Sequence, residues 1–192
     1  MSQERITQSL QQHTALLETF VRDQGAELER LAQVLVASFH AGGRLFVLGS
    51  GQFAAVANLV ASLFNFRLSL ERPQLPAISL SHDPLLALAL AREEQAGQYF
   101  SRQLRTLGRR GDVVLALCGV PRDEAVEEAL AMARQNGNPV AVFFHGREEE
   151  YFGERPDHFF LLETESLASA LEAALFCGRL ACELVEAELF GL

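Results

Sequence analysis

Apolar residues in this chain fall into two kinds of run, short solid ones and longer ones spaced at three and four. Residues 2–22 place Ile6, Leu10, Leu16, Leu17, Phe20 and Val21 at helical spacing, with no proline or glycine. Residues 25–40 repeat the pattern with Leu28, Leu31, Leu35, Val36 and Phe39, and Gly42-Gly43 stops it. Two long amphipathic helices are therefore expected over residues 1–42. Next, Arg44 to Leu48 is solidly apolar after its first residue, without period-2 alternation, and predicts a strand buried on both faces. Gly49 and Gly51 predict a turn, and the alanine- and leucine-rich run from Ala54 to Phe66 predicts a helix.

The alternation continues to the end of the chain. Glu71 to Pro76 reads as a loop by its prolines, and further strands are expected at 77–80, 113–118, 140–144 and 157–162. Helices are expected at 84–91, 94–107, 123–136 and 166–189, the third capped by Asp123 and closed by Asn136-Gly137. Strands alternating with helices imply right-handed crossovers, hence a doubly wound α/β fold on a five-stranded parallel sheet, ending in a long C-terminal helix. The reading is one domain over 1–192, with an α/β core at 44–192. The surplus apolar face of the N-terminal helical pair predicts a homo-oligomer interface. Ligands in such folds bind beyond the carboxyl ends of the strands, which gathers the loops at 49–53, 80–84 and 118–123 around one crevice.

Composition narrows the function. At 49% hydrophobic and 21% charged, the chain suits one globular domain. No apolar stretch reaches the length of a membrane span, and Glu4, Arg5 and several glutamines do not make a signal peptide, so the cytoplasm is expected. Cys118, Cys177 and Cys182 have no metal-ligand spacing and read as reduced, buried thiols. A net charge of −9 argues against direct binding of nucleic acid.

The strand, glycine turn and helix at 44–66 leave amide N–H groups at a positive dipole end, which suits an anion. Gly49-Ser50-Gly51-Gln52-Phe53-Ala54 also fits the dinucleotide pattern G-x-G-x-x-A, with Glu71 in the acid's place about 20 residues on. Glu71 abuts Arg72-Pro73 in a loop, however, and two helices precede the turn. Another match is closer. The helical start, the glycine turn, Leu70-Glu71-Arg72-Pro73-x-Leu75-Pro76-Ala77-Ile78, Phe100-Ser101-Arg102-Gln103 and Leu107-Gly108-x-x-Gly111-Asp112-Val113-Val114-Leu115 together resemble the sugar isomerase (SIS) family. Within it the chain is similar to the phosphoheptose isomerase branch, and above all to its DnaA initiator-associating, DiaA-like members. The resemblance covers nearly the whole chain, and it implies a flavodoxin-like strand order and a tetramer.

It also implies where a sugar phosphate would bind. The first-turn pattern G-N-G-G-S of phosphoheptose isomerases falls on Gly49, Ser50, Gly51, Gln52 and Phe53, and a later loop, S-T-S-G-N-S, falls on Cys118 to Asp123. The implied ligand-binding residues are Gly49, Ser50, Gly51, Gln52, Cys118, Gly119 and Arg122. Phe53, Val120, Pro121 and Asp123 replace hydroxyl and amide groups and weaken phosphate binding. The branch's His and Glu on the helix after the turn fall on Leu59 and Leu63, its Gln and His from the last helix on Leu171 and Arg179, and an Asn-Asp pair on Arg92 and Glu93. Leucine neither ligates zinc nor moves a proton, so no metal, no cofactor and no catalytic residue is expected.

His82 and Glu93 remain as weak catalytic candidates. His82-Asp83 follows the second strand and could serve as a base with its carboxylate, or Asp83-Pro84 simply caps the next helix. His145 and His158 read as turn residues, and Glu148-Glu149-Glu150 as a solvated face. The chain ends Leu189-Phe190-Gly191-Leu192, which is either packed within the subunit or, by the resemblance, docks a DnaA-like initiator through Leu189 and Phe190. The expectation is a non-catalytic oligomeric binding protein. The alternatives are a sugar-phosphate isomerase with a rearranged site and a sensor of carbohydrate derivatives.

Overall fold

The computed structural model describes residues 2–68, 71–151 and 153–191; Leu70 and Leu192, both part of stretches singled out above, lie outside the described residues. Helix α1 spans Ser2–His40, followed by β1 (Leu45–Gly49), α2 (Phe53–Asn65), β2 (Ala77–Ser79), α3 (Pro84–Arg92), α4 (Tyr99–Leu107), β3 (Val113–Gly119), α5 (Glu124–Gln135), β4 (Val140–His145), β5 (His158–Leu162) and α6 (Leu167–Phe190). The strands form one sheet in the order β2-β1-β3-β4-β5, all parallel. Strand order reverses between β1 and β3, which places the switch point of this doubly wound sheet beside Gly49.

The solid apolar runs are explained by two cores. In β1, Leu45 and Val47 face the side covered by α1, α2 and α6, while Phe46 and Leu48 face the side covered by α4 and α5. In β3, Val113, Leu115 and Leu117 lie on the first side, and Val114, Ala116 and Cys118 on the second. Side chains still alternate along each strand, but both faces are dry. Helix α6 lies against α2 at Gly178, where a Cβ would come within 2.4 Å of Val60 Cγ2.

Two expectations are corrected. The helical pair over 1–42 is one continuous helix of 39 residues. Gly25, the first residue of the second expected helix, has room for a Cβ, which would meet only Val21 Cγ1 at 3.9 Å. A glycine there weakens a helix by about 1 kcal/mol without ending it. The polar residues beside it have partners on the sheet. Gln24 Nε2 donates to the Leu161 carbonyl at 2.9 Å, and Leu161 N donates to Gln24 Oε1 at 2.7 Å. Glu27 Oε1 lies 2.5 Å from His158 Nδ1. What looked like a break is where α1 fastens to the outer side of β5.

The helix expected from Glu94 begins at Tyr99. Glu94 has a positive φ of 56°, and Ala96–Gln98 forms a single tight 3₁₀ turn before α4. At the other end of the chain order, the first half of α1 stands clear of the core. Its buried residues begin at Phe20, and Ile6 and Leu10 are 63% and 64% exposed.

Candidate functional site

A crevice of about 740 Å³ opens beyond the carboxyl ends of β1, β2 and β3, at the switch point. The turn after β1 supplies Gly49 and Gly51, α2 supplies Asn58, the loop after β2 supplies Ser81 and His82, α4 supplies Tyr99, and the loop after β3 supplies Asp123. Gly51 needs its freedom, since φ is +54° there. At Gly49 a Cβ would lie 2.3 Å from the Phe53 carbonyl oxygen, so the turn closes only around a bare backbone.

The polar side chains are tied to the frame. Gly49 N donates to Ser81 Oγ at 2.9 Å, and Ser79 Oγ donates to Asn58 Oδ1 at 2.5 Å. Tyr99 OH accepts from Asp83 N at 3.0 Å and donates to the Asp83 carbonyl at 3.1 Å, which steadies the loop carrying His82. Asp83 caps α3, its Oδ1 accepting from Leu86 N at 2.9 Å. That leaves His82 exposed in the crevice wall, not paired with the Asp83 carboxylate. Glu93 lies at the far end of α3 and does not line the crevice with it.

Helix termini differ in their use of acid. Asp83, Asp123 and Ser166 cap α3, α5 and α6 through side-chain hydrogen bonds. Gln52, before α2, makes no such bond, and no acidic residue lies in that helix's first turn. The N-terminus of α2 therefore carries no acid of its own, and the carboxylate beside its turn is that of Asp123, from the loop after β3.

The ligand-binding set implied by resemblance is divided. Gly49 and Gly51 line the crevice, whereas Cys118, Gly119 and Arg122 line a separate cavity of about 280 Å³ toward β4, with Val126, Phe144 and Tyr151. Asp123 borders both and separates them, because it stays at the α5 N-terminus as its cap. Ser50 turns to Asp123, Oγ to Oδ2 at 2.5 Å, and Arg122 is paired on the surface with Glu127. Burial, with smaller contributions from the Asp123 and Glu127 charges, pushes the Cys118 thiol up to about 12, so it stays protonated near neutrality.

Leu59, Leu63, Leu171 and Arg179 lie on α2 and α6, away from this crevice. Leu59 is 52% exposed, Leu63 and Leu171 pack on the core, and Arg179 pairs with Glu183 and sits over the Phe176 ring at 5.1 Å. These side chains do not fit a metal. Among the described residues no group of three or more His, Cys, Asp and Glu could hold one. At the C-terminus Leu189 packs against the core, and Phe190 is 40% exposed before Gly191 ends α6.

Asn58, Ser81 and Tyr99 went unassigned in the sequence reading of the crevice, and Asp123 was read there only as a charge that weakens phosphate binding. Asn58 left a signal, as the first polar side chain inside the apolar helix that follows the glycine turn. Tyr99 left none, since its role depends on α3 and α4 packing together.

Residues 9–144, more than half of the chain, match the family model described as SIS domain. A phosphoheptose isomerase of Pelobacter propionicus is 32% identical over 186 residues, covering 97% of this chain and 98% of that protein. One from Thermodesulfovibrio yellowstonii is 27% identical over 190 residues, covering 99% and 94%. The structure of a phosphoheptose isomerase from Francisella tularensis superposes with a TM-score of 0.86 at 20% identity, covering 96% of this chain and 98% of that one. These relatives overturn the expectation of a non-catalytic scaffold for a DnaA-like initiator, because full-length similarity runs to proteins named as sugar-phosphate isomerases. Among the described residues no helix is long and apolar enough to cross a membrane. The chain belongs to the SIS domain family, and phosphoheptose isomerases are its homologues and structural neighbours.

Proposed function

We propose that the crevice binds a phosphorylated sugar and interconverts its aldose and ketose forms, with sedoheptulose 7-phosphate as the first substrate to test. The observation that carries this reading is the joining, at the switch point, of the uncapped N-terminus of α2 with His82. The N-terminus of α2 turns its positive dipole end toward the phosphate, while its first N–H groups, those of Phe53, Ala54 and Ala55, are held by the Ser50, Gly51 and Gln52 carbonyls. Ser81, Asn58 and Tyr99 offer hydroxyl and amide groups to a polyol. His82, on the β2 side, handles the proton that moves between the two substrate oxygens. This is a different set of residues from the leucine-filled positions on α2 and α6, and no step depends on a metal.

Purified protein should turn over sedoheptulose 7-phosphate or a related ketose phosphate. His82→Ala should lower kcat/KM by roughly 10²- to 10³-fold, the usual range for losing an acid–base group. Equal turnover by the variant would assign the chemistry elsewhere. A cytoplasmic setting belongs to this reading, and Cys118, Cys177 and Cys182, all unbridged and buried, agree with it.

The same reading includes self-association. The exposed Ile6 and Leu10 flank a groove of about 780 Å³ with Leu175 and Phe176 of α6. Half of a long helix standing beyond its own core calls for a second copy of this chain as its cover. Light scattering should give a multiple of 21.1 kDa for the wild type and a smaller species for Leu10→Glu.

A further inference from the structure

Moving a carbonyl along a sugar requires a base that lifts a proton from one carbon and returns it to the next. His82 is placed for the oxygens, which leaves the carbon proton without a carrier. Among the described residues that line the crevice, Asp123 alone bears a carboxylate. It enters from the β3 side, whereas His82 enters from the β2 side.

Asp123 is held from two directions. Its Oδ1 accepts from Ala125 N at 3.0 Å as the cap of α5, and its Oδ2 accepts from Ser50 Oγ at 2.5 Å across 73 residues of sequence. A cap needs only the first contact. The second joins the carboxylate to the glycine turn on the other side of the switch point, and fixes both oxygens at the rim of the crevice. A base must be held this way to act on a carbon acid, whose proton transfer tolerates little misplacement.

We propose that Asp123 is the carbon base of this crevice and that Ser50 is its positioning residue. The inference rests on the isomerase reading above. The carboxylate takes the proton from C2 of the aldose. That C–H electron pair becomes the C1–C2 double bond, and the carbonyl π pair moves onto O1. His82 gives its N–H proton to O1 and takes the O2 proton in return. As the C2–O2 double bond forms, the carboxylic acid of Asp123 hands its proton to C1. Every atom of the aldose is present in the ketose, and no oxidant or reductant is needed.

The test uses the full chain with sedoheptulose 7-phosphate. Asp123→Asn keeps the cap, since asparagine serves an N-terminus as well as aspartate does, and Asp123→Ser keeps it by a shorter route. Both variants should fold like the wild type while kcat falls roughly 10²- to 10⁴-fold and KM moves less than about threefold. Ser50→Ala should lower kcat by about tenfold with KM unchanged, as expected when a base is only loosened. Wild-type turnover by Asp123→Asn or Asp123→Ser overturns the assignment and leaves the isomerase reading intact. So does a lower KM at constant kcat, which would mean that the carboxylate merely repels phosphate. A wild-type protein without turnover overturns both.

Discussion

Replacing Arg72 with methionine is expected to lower folding stability by about 3–5 kcal/mol, read as a fall in denaturant midpoint with an unchanged slope. The Arg72 and Glu186 side chains are only 1% and 5% exposed, with Nε to Oε1 at 2.6 Å. Charges this deep are tolerated only because every donor is used. Nη1 donates to the carbonyls of Phe64 at 2.9 Å and Pro73 at 3.0 Å, and Nη2 donates to the Leu63 carbonyl at 3.0 Å and to Cys182 Sγ at 3.7 Å. Arg72 therefore closes the last carbonyls of α2 and ties them to α6.

Methionine fills similar space but leaves Glu186 without its charge partner, with only the Leu68 N–H and the Cys182 thiol against it, and frees the two α2 carbonyls. Desolvation without compensation explains the size of the loss. Adding Glu186→Met should recover much of it, because the double variant has no stranded charge. Lysine at position 72 should not rescue, since one ammonium cannot span three carbonyl acceptors and a carboxylate. A loss below about 1 kcal/mol would mean that water reaches the pair, as in an ordinary surface ion pair.

Phe160→Ala should be comparably severe, at about 3–5 kcal/mol, for a different reason. Phe160 is fully buried, with its ring 4.9 Å from that of Phe143 on β4 and 6.0 Å from that of Phe20 on α1. Truncation leaves a cavity where Phe20 of α1 and Phe143 of β4 meet β5. Besides the lower midpoint, amide exchange along α1 should speed up more than along β1 and β3, because α1 loses its aromatic contact with the sheet. Uniform acceleration would instead show that α1 and the sheet open together.

Most of the framework was legible because parallel strands buried on two faces give solid apolar runs, and the helices between them carry their own start signals. Asp123 and the proline after Asp83 announced α5 and α3 before any coordinates. The break expected between residues 22 and 25 arose because a polar interruption looks the same whether a helix ends there or turns those side chains toward an edge strand. Gln24 and Glu27 do the latter, and only the position of β5 reveals it.

The crevice was legible as a place but not as a set of residues. The resemblance put Cys118, Gly119 and Arg122 beside Gly49 and Gly51, and the cap at Asp123 parts them. Whether an aspartate at a helix start also faces a ligand depends on what crosses from another strand. Here that is Ser50. Losing familiar metal ligands on α2 and α6 is visible letter by letter. Gaining a new arrangement elsewhere is not, since it is made of residues with ordinary local explanations.

The amide of Gln24 imitates one residue of a neighbouring strand, offering both a donor and an acceptor to Leu161. A sheet normally ends in a row of open valences that invites another molecule to continue it. In this chain Gln24 closes part of that row on β5, and the Asn65 amide does the same for Ala77 on the opposite edge strand, β2, so each outer strand has a helix side chain where a sixth strand would begin to pair. Guarding against fibre-like growth is thereby assigned to positions far from any chemistry, and a neutral-looking exchange of the glutamine would be felt in how the molecules behave when crowded.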